Sequence, residues 1–170
     1  NSVYAYLGSY DASRGNTAGV YHSTFWITQG LASDEMLNNQ LGTPQYDQLA
    51  TFSHNADNAA LLEIWQIHYK TISLANIAID RIPLIDMDID LQNRLVNEAK
   101  FLRGLLYFNM VRMFGEIPLV ISEEAPLNPE AAAVPDIYDQ IIRDLTDAES
   151  LPDDGSIQEG RATSGAAKGI

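Results

Sequence analysis

The fold of this chain is decided by residues 98–120, whose sequence is EAKFLRGLLYFNMVRMFGEIPLV. Apolar side chains recur here at helical spacing, and they cover more of the helix surface than one neighbouring helix can bury. Gly115 is suited to end the helix because glycine adopts the left-handed conformation without steric cost, and Pro118 prevents the helix from resuming. The apolar positions are Phe101, Leu102, Leu105 or Leu106, Phe108, Met110, Val111, Met113 and Phe114. We therefore expect a helix enclosed on several sides, followed by a short extended exit at residues 116–120.

Charged residues interrupt the apolar pattern of this long helix. They are Glu98, Lys100, Arg103 and Arg112. Their spacing requires some of them to lie beside the buried faces. Because an unpaired buried charge is costly, we expect ion pairs or hydrogen bonds inside the fold.

Capping residues indicate where the two longest helices begin. Asp57 or Asn58 directly precedes a predicted helix at residues 59–82, which carries two apolar stripes. Asp90 is predicted to cap the long helix, which would then begin near Leu91 and end before Gly115.

Shorter helices are predicted elsewhere in the chain. Residues 2–12 have the apolar spacing of a short amphipathic helix. Residues 19–28 are rich in β-branched and aromatic residues and are compatible with either a helix or an extended segment. Residues 135–151 predict an amphipathic helix that opens with a proline in its first turn.

Several motifs resemble the SusD/RagB family, and they occur in the order in which that family has them. The long helix contains EAKFLR at residues 98–103 and FGEIPLV at residues 114–120. IYDQIIRDL at residues 137–145 and GRAT at residues 160–163 resemble later family motifs. The preceding helix has the matching positions Trp65, Tyr69, Ile72, Ala75, Asn76, Asp80 and Ile82. The resemblance extends over nearly the whole chain.

The resemblance implies an all-α, tetratricopeptide-like helical-repeat scaffold with long polar loops. Known members of the family are longer, so residues 1–170 are expected to form a single N-terminal helical domain, truncated at both ends. Those members are lipoproteins on the outer face of the outer membrane, and they bind nutrients, usually oligosaccharides. They work with a SusC-like TonB-dependent transporter. The resemblance therefore implies non-enzymatic nutrient capture without a cofactor, and membrane attachment only through a lipid anchor that these residues do not contain.

Composition narrows the classes of function independently. The net charge of −13 leaves no basic surface for nucleic acid. The absence of cysteine excludes disulfides, thiolate metal sites and cysteine nucleophiles. The longest uncharged run, residues 15–33, contains too many polar side chains to cross a bilayer.

Residues 36–58 have a different character from the helices, being rich in Asn, Gln, Thr, Gly and His, and they predict a long polar loop. Sugars are bound by aromatic rings together with amide and carboxylate groups. Tyr46 is the preferred candidate for an exposed ring, and Tyr46→Ala is expected to weaken ligand binding. Trp26 is compatible with either the core or a ligand site. The other candidate ligand-binding residues are Asn38, Asn39, Gln45, His54 and Asn55.

No catalytic or metal-binding motif is evident. The three histidines, His22, His54 and His68, lack the spacing of a metal site, and His68 is expected in the core. The Asp86-x-Asp88-x-Asp90 pattern lacks the glycine and glutamate of a calcium loop. Two alternatives to nutrient binding remain open, a helical-repeat adaptor for a protein partner and a glycoside hydrolase that uses two of the 23 acidic residues.

Overall fold

The structure is a computed structural model that describes residues 2–8, 10–11, 17–22, 24–39, 42–153 and 159–170 of the 170-residue chain. Its regular elements are mainly α-helices, which confirms the all-α prediction. The chain divides into two compact units, Asn1–Lys70 and Thr71–Ile170. The expectation of a single domain stays a prediction. In the described part of the chain, no helix has both the length and the apolar content that a membrane span requires.

The first unit opens with a short helix and a small hairpin. Helix α1, Ser2–Gly8, confirms the amphipathic segment at residues 2–12 but ends earlier than predicted. Strands β1, Tyr10–Asp11, and β2, Thr17–Ala18, pair antiparallel with Tyr10 opposite Ala18. Residues 12–16, which connect the two strands in sequence, lie outside the described residues.

Two further short helices precede a long helix whose residues fall partly in the first unit and partly in the second. Helix α2, Thr24–Leu31, shows that the ambiguous residues 19–28 are helical from residue 24 onward. Helix α3, Pro44–Ala50, and helix α4, Ala59–Arg81, follow. Buried Leu31, Leu49 and Ala60 join α2, α3 and the start of α4 in one apolar cluster. This cluster is the core around which the polar stretch is arranged.

The prediction of a loop throughout residues 36–58 is wrong, because α3 lies inside it. Pro44 occupies the first turn of α3, where its missing N–H removes no hydrogen bond. Leu49 gives the short helix a buried anchor with an exposed fraction of 2%. The described part of residues 36–58 therefore consists of irregular segments on either side of a helix of seven residues.

Helix α4 begins where the sequence predicted. The Asn58 Oδ1 atom accepts hydrogen bonds from the N–H groups of Ala60 at 3.0 Å and Leu61 at 3.3 Å. Asn58, and not Asp57, is therefore the N-cap. The helix gives way to a short 3-10 helix, Ile82–Leu84, which contains Pro83.

Helix α5, Ile89–Phe114, is the long helix of the signature stretch. The prediction that Asp90 caps it is wrong, because Asp88 does so by accepting the Leu91 N–H at 2.9 Å. Asp90 instead lies in the first turn, where a carboxylate interacts favourably with the helix dipole. Gly115 ends the helix with φ 74°, as predicted.

The second unit is completed by helix α6, Val134–Ala148, and helix α7, Ser164–Lys168. Helix α6 buries Ile137, Ile141 and Leu145. The exit from α5 forms strand β3, Ile117–Pro118, which pairs antiparallel with β4, Ala131–Ala132. Thr163 caps α7 by accepting the Ala166 N–H at 3.2 Å. The GRAT motif therefore directly precedes a helix and supplies its N-cap.

Buried polar contacts hold the second unit together, as the charge pattern predicted. The Arg103 guanidinium donates to both carboxylate oxygens of Asp144 at 2.7 Å and to the Asn76 Oδ1 atom at 2.8 Å. Glu98 pairs with Arg161 at 2.6 Å. Further contacts are an ion pair of Lys100 with Asp147 and a hydrogen bond from Asn76 to the Val120 carbonyl. Arg112 differs, since it is exposed and lies over the Phe108 ring.

Candidate ligand-binding site

The loop between α3 and α4, residues 51–58, is exposed except at its last residue and is held by its own hydrogen bonds. We call it the cap loop. The Thr51 hydroxyl donates to the Asp47 carbonyl at 2.7 Å, and the Ser53 N–H donates to the Gln48 carbonyl at 2.9 Å. At the other end, the Asn58 N–H donates to the Asn55 carbonyl at 3.2 Å. The cap loop therefore presents its side chains on a backbone that is fixed at both ends.

Asn58 connects the end of the cap loop to α3. Its Nδ2 group donates to the Gln45 carbonyl and to the Gln48 Oε1 atom, both at 2.9 Å. The side chain is 2% exposed. A buried amide that satisfies its donors and its acceptor fixes the position of the loop relative to both helices.

Phe52 is the most unusual residue of the cap loop. Among the described residues it is the one non-glycine residue with positive φ, at 54°. Its side chain is 68% exposed. A left-handed backbone is unfavourable for a bulky residue, and an exposed ring forfeits the gain of burial. The left-handed backbone belongs to the C-terminal end of α3, where the Phe52 N–H donates to the Leu49 carbonyl at 3.2 Å and the Ser53 N–H donates to the Gln48 carbonyl at 2.9 Å. Phenylalanine stands where helices usually place glycine, and its exposed ring is a candidate for ligand contact.

Sequence reasoning did not select Phe52, although a signal for it was present. Residues 51–58 read TFSHNADN, so one aromatic residue stands among small and polar ones. The left-handed backbone that exposes it is visible only in the structure.

Two of the predicted ligand-binding residues lie beside Phe52. His54 and Asn55 are both exposed in the cap loop. The Asn55 Oδ1 atom accepts the Asp57 N–H at 3.0 Å, which orients the side-chain amide. The structure thus brings the Phe52 ring, an imidazole and an amide together in one short loop.

The predicted residues before α3 have mixed positions. The Asn38 amide donates to the Asp47 carboxylate at 2.6 Å and to the Thr43 hydroxyl at 3.1 Å, so it fastens the first polar loop to α3. Asn39 is exposed. Gln45 is half-buried, and its main-chain carbonyl is bound by Asn58.

The expectation that Tyr46 is an exposed ring is wrong. Tyr46 is half-buried and packs against the cluster of Leu31, Leu49 and Ala60. The reason is its position three residues before Leu49 on α3, which places both residues on the same helix face. Its role in ligand binding stays a prediction.

Trp26 lies on α2 and is 51% exposed, which excludes it from the core. Its indole N–H donates to the His22 carbonyl at 3.1 Å. The next residue, Ile27, packs against the apolar cluster, and Trp26 is rotated from it by about 100° around the helix axis. It offers a second exposed aromatic face in the first unit.

His68 is a core residue, as predicted. It is fully buried on α4, and its Nδ1 atom lies 2.8 Å from the Ile64 carbonyl. Burial lowers the pKa of His68 to about 4, because the charged imidazolium would lose its hydration. Within the described ranges, no three His, Asp or Glu side chains are grouped so that they could hold a metal ion.

The second unit contains a groove of about 610 Å³ beside the start of α5. Charged, amide and hydroxyl side chains line it together with Leu91 and Pro152, and its described lining includes no aromatic ring. A ligand that needs an apolar platform therefore finds one at the cap loop and not in this groove.

A family model and a related protein both place this chain in the same family. Residues 11–170 match the SusD-like family described as "Starch-binding associating with outer membrane". The chain is 29% identical over 153 residues to SusD-like protein P2 of Formosa agariphila, a match that covers 84% of this chain and 30% of that protein. The chain thus spans about a third of the length of this relative.

Solved structures agree in fold. A laminarin binding SusD-like protein superposes with a TM-score of 0.76 at 28% identity, over 87% of this chain and 33% of that one. A crystal structure with xylogluco-oligosaccharide gives a TM-score of 0.72 at 27% identity, over 94% of this chain and 33% of that one. The motifs, the helical fold and the match across residues 11–170 establish that this chain belongs to the SusD-like family.

Proposed function

We propose that this chain forms part of the glycan-binding surface of a non-enzymatic nutrient-binding protein. Its family membership supports this proposal, and so do two structural relatives. One is named for laminarin binding, and the other is described with a xylogluco-oligosaccharide. The surface would be the cap loop, with Phe52 as its centre.

The exposed ring of Phe52 is the observation that carries the proposal. A flat ring covers the apolar face of a pyranose, while neighbouring polar groups bind the hydroxyls. Asn55 keeps its amide hydrogens for a ligand, because its oxygen is used by Asp57. His54 supplies an imidazole, and the hydrogen bonds of the cap loop prepare the site before a sugar arrives.

Capture and delivery, rather than cleavage, is the activity we assign to the intact protein. It would act at the outer face of the outer membrane and transfer its ligand to a SusC-like TonB-dependent transporter. The family description, which mentions association with the outer membrane, supports this location. Because the chain spans 30% of the length of its relative, we expect other parts of the intact protein to contribute to the site, and the isolated chain to bind glycans weakly.

Calorimetric titration of the intact protein with laminari- and xylogluco-oligosaccharides tests the proposal. We expect Phe52→Ala to weaken binding by about tenfold or more, which corresponds to about 1.4 kcal/mol. Leu127→Ala is the control, since Leu127 is 99% exposed in the second unit and also loses an apolar side chain. Equal affinity of the wild-type and Phe52→Ala proteins would contradict the site.

The same incubations distinguish binding from hydrolysis. A binding protein leaves the oligosaccharide intact, so the number of reducing ends stays constant over time. Release of reducing ends by the wild-type protein would favour the glycoside hydrolase alternative instead. A loss of that release in the Phe52→Ala variant would further place the hydrolytic site at the cap loop.

A further inference from the structure

The charge around the candidate site has one sign. Residues 15–69 contain no Lys or Arg, although the whole chain has 10. The same residues contain five carboxylates, namely Asp34, Glu35, Asp47, Asp57 and Glu63. Counting Lys, Arg, Asp and Glu, this part of the chain therefore carries negative charge only.

Two of these carboxylates flank Phe52 at equal distance in sequence. Asp47 and Asp57 are each five residues from Phe52, and both are exposed. The backbone groups of both participate in the hydrogen bonds of the cap loop, since the Asp47 carbonyl accepts from Thr51 and the Asp57 N–H donates to Asn55. Both carboxylates therefore belong to the same framework as the ring.

Neither carboxylate is neutralised in the described part of the chain. Asp47 accepts a hydrogen bond from the Asn38 amide, which carries no charge. Asp57 uses its backbone N–H, and its side chain forms no ion pair there. Within the described residues, neither carboxylate is therefore paired with a cation.

Lys70 is too distant to compensate for these charges. It lies 12 residues beyond Asn58 on α4, or about 18 Å along the helix axis at about 1.5 Å per residue. Its Nζ atom lies 4.8 Å from the centre of the Tyr6 ring. Because charges are screened over about 8 Å at physiological salt, Lys70 has little influence on the potential at the cap loop. Arg14 lies outside the described residues.

We infer that the cap-loop site selects uncharged glycans and rejects glycans that carry carboxylate or sulfate groups, with Asp47 and Asp57 as the residues that determine this specificity. The inference rests on the proposed glycan-binding function. An anionic group on a sugar at Phe52 would approach two like charges, and residues 15–69 offer no Lys or Arg to pair with it. Repulsion of this kind gives specificity by penalising the wrong ligand.

The test compares one oligosaccharide in two charge states, using the intact protein. The neutral form is whichever laminari- or xylogluco-oligosaccharide binds, and the anionic form is the same molecule oxidised at C6 to a uronate. At low ionic strength and about pH 8, where free imidazoles are neutral, we expect the oxidised form to bind at least about tenfold more weakly.

Two changes show whether charge causes that difference. About 1 M salt shortens the screening length to about 3 Å. It should therefore narrow the difference between the affinity for the neutral form and the affinity for the oxidised form. Asp57→Asn should narrow it as well, because this change removes a charge and keeps the backbone hydrogen bond to Asn55. Asp139→Asn, an exposed position on α6, makes the same change of charge in the second unit and should leave the difference unaltered.

The outcomes separate this inference from the function on which it rests. Equal or tighter binding of the oxidised form overturns the inference while glycan binding stands. A weaker binding that responds neither to salt nor to Asp57→Asn also overturns it, because the loss would then be steric. If neither form binds, the proposed function fails and the inference fails with it.

Discussion

The side chain of Asn58 binds the carbonyl of Gln45 at 2.9 Å while its own oxygen accepts the Ala60 N–H at 3.0 Å. One buried amide therefore caps α4 and fastens α3 to it. The cap loop, with Phe52 at its exposed side, is closed by this contact. The relation explains how a polar stretch of sequence becomes a defined surface.

Replacing Asn58 by Ala should lower the free energy of unfolding by about 2–3 kcal/mol, since both the cap and two buried hydrogen bonds are lost. Asn58→Ser is the matched control, because serine caps helices well but cannot reach Gln45. In urea unfolding, we expect the free energy of unfolding of Asn58→Ser to be about 1 kcal/mol higher than that of Asn58→Ala. Equal stability of the Ala and Ser variants would show that the cap contributes nothing.

Arg103 should be among the most sensitive positions of the second unit. Arg103→Met leaves the Asp144 carboxylate, which is 2% exposed, without its partner, and should cost about 3–5 kcal/mol. The double variant Arg103→Met with Asp144→Leu should be more stable than Arg103→Met alone, because no unpaired charge remains buried. If the double variant lost as much stability as the two single variants lose together, this account would be contradicted.

His68 should make the protein less stable in mild acid. Its pKa falls from 6.5 to about 4 on folding, so the unfolded chain binds the proton more tightly. Stability attributable to His68 is then complete above about pH 6.5 and is lost as the pH falls toward 4, by about 3 kcal/mol in total. Urea unfolding across this pH range measures the loss, and His68→Leu should remove that part of the slope. An unchanged slope in His68→Leu would assign the acid sensitivity to other groups.

The long helices could be predicted from sequence because many residues contribute to each pattern. Helix α5 has 26 residues, so the helical spacing of its apolar residues is recognisable even where a single position departs from the pattern. Its first residue was misplaced because Asp88 and Asp90 are equally good caps, and only the hydrogen bond to Leu91 distinguishes them. Strand β4 consists of Ala131–Ala132, and alanine carries no strand preference, so it exists only through pairing with β3.

The candidate site was harder to predict than the fold. Helix α3 has seven residues, too few for a convincing period, and its presence buries Tyr46. The exposed positions of His54 and Asn55 could be predicted, because polar residues in a loop are visible in sequence, and their role in ligand binding stays a prediction. The positive φ of Phe52 belongs to the turn that ends α3, a position that helices usually fill with glycine, so a phenylalanine in the sequence does not indicate it.

The central claim is that Phe52 is kept for its ring and not for stability. Glycine tolerates the left-handed backbone that phenylalanine resists, and the ring is 68% exposed, so little packing would be lost. We therefore expect Phe52→Gly to unfold with a free energy equal to the wild type or up to about 1 kcal/mol higher. Phe52→Ala keeps the strained backbone and should be the less stable of the two variants.

Measuring unfolding and glycan affinity on the same Phe52→Gly protein tests this claim most directly. The account predicts undiminished stability together with a loss of affinity of about tenfold or more for the neutral oligosaccharide. Phe52→Trp should retain binding, because it keeps a flat ring at the same position. A Phe52→Gly protein that is about 2 kcal/mol less stable than the wild type, yet binds its glycan equally well, would show that the ring serves the fold and not the ligand.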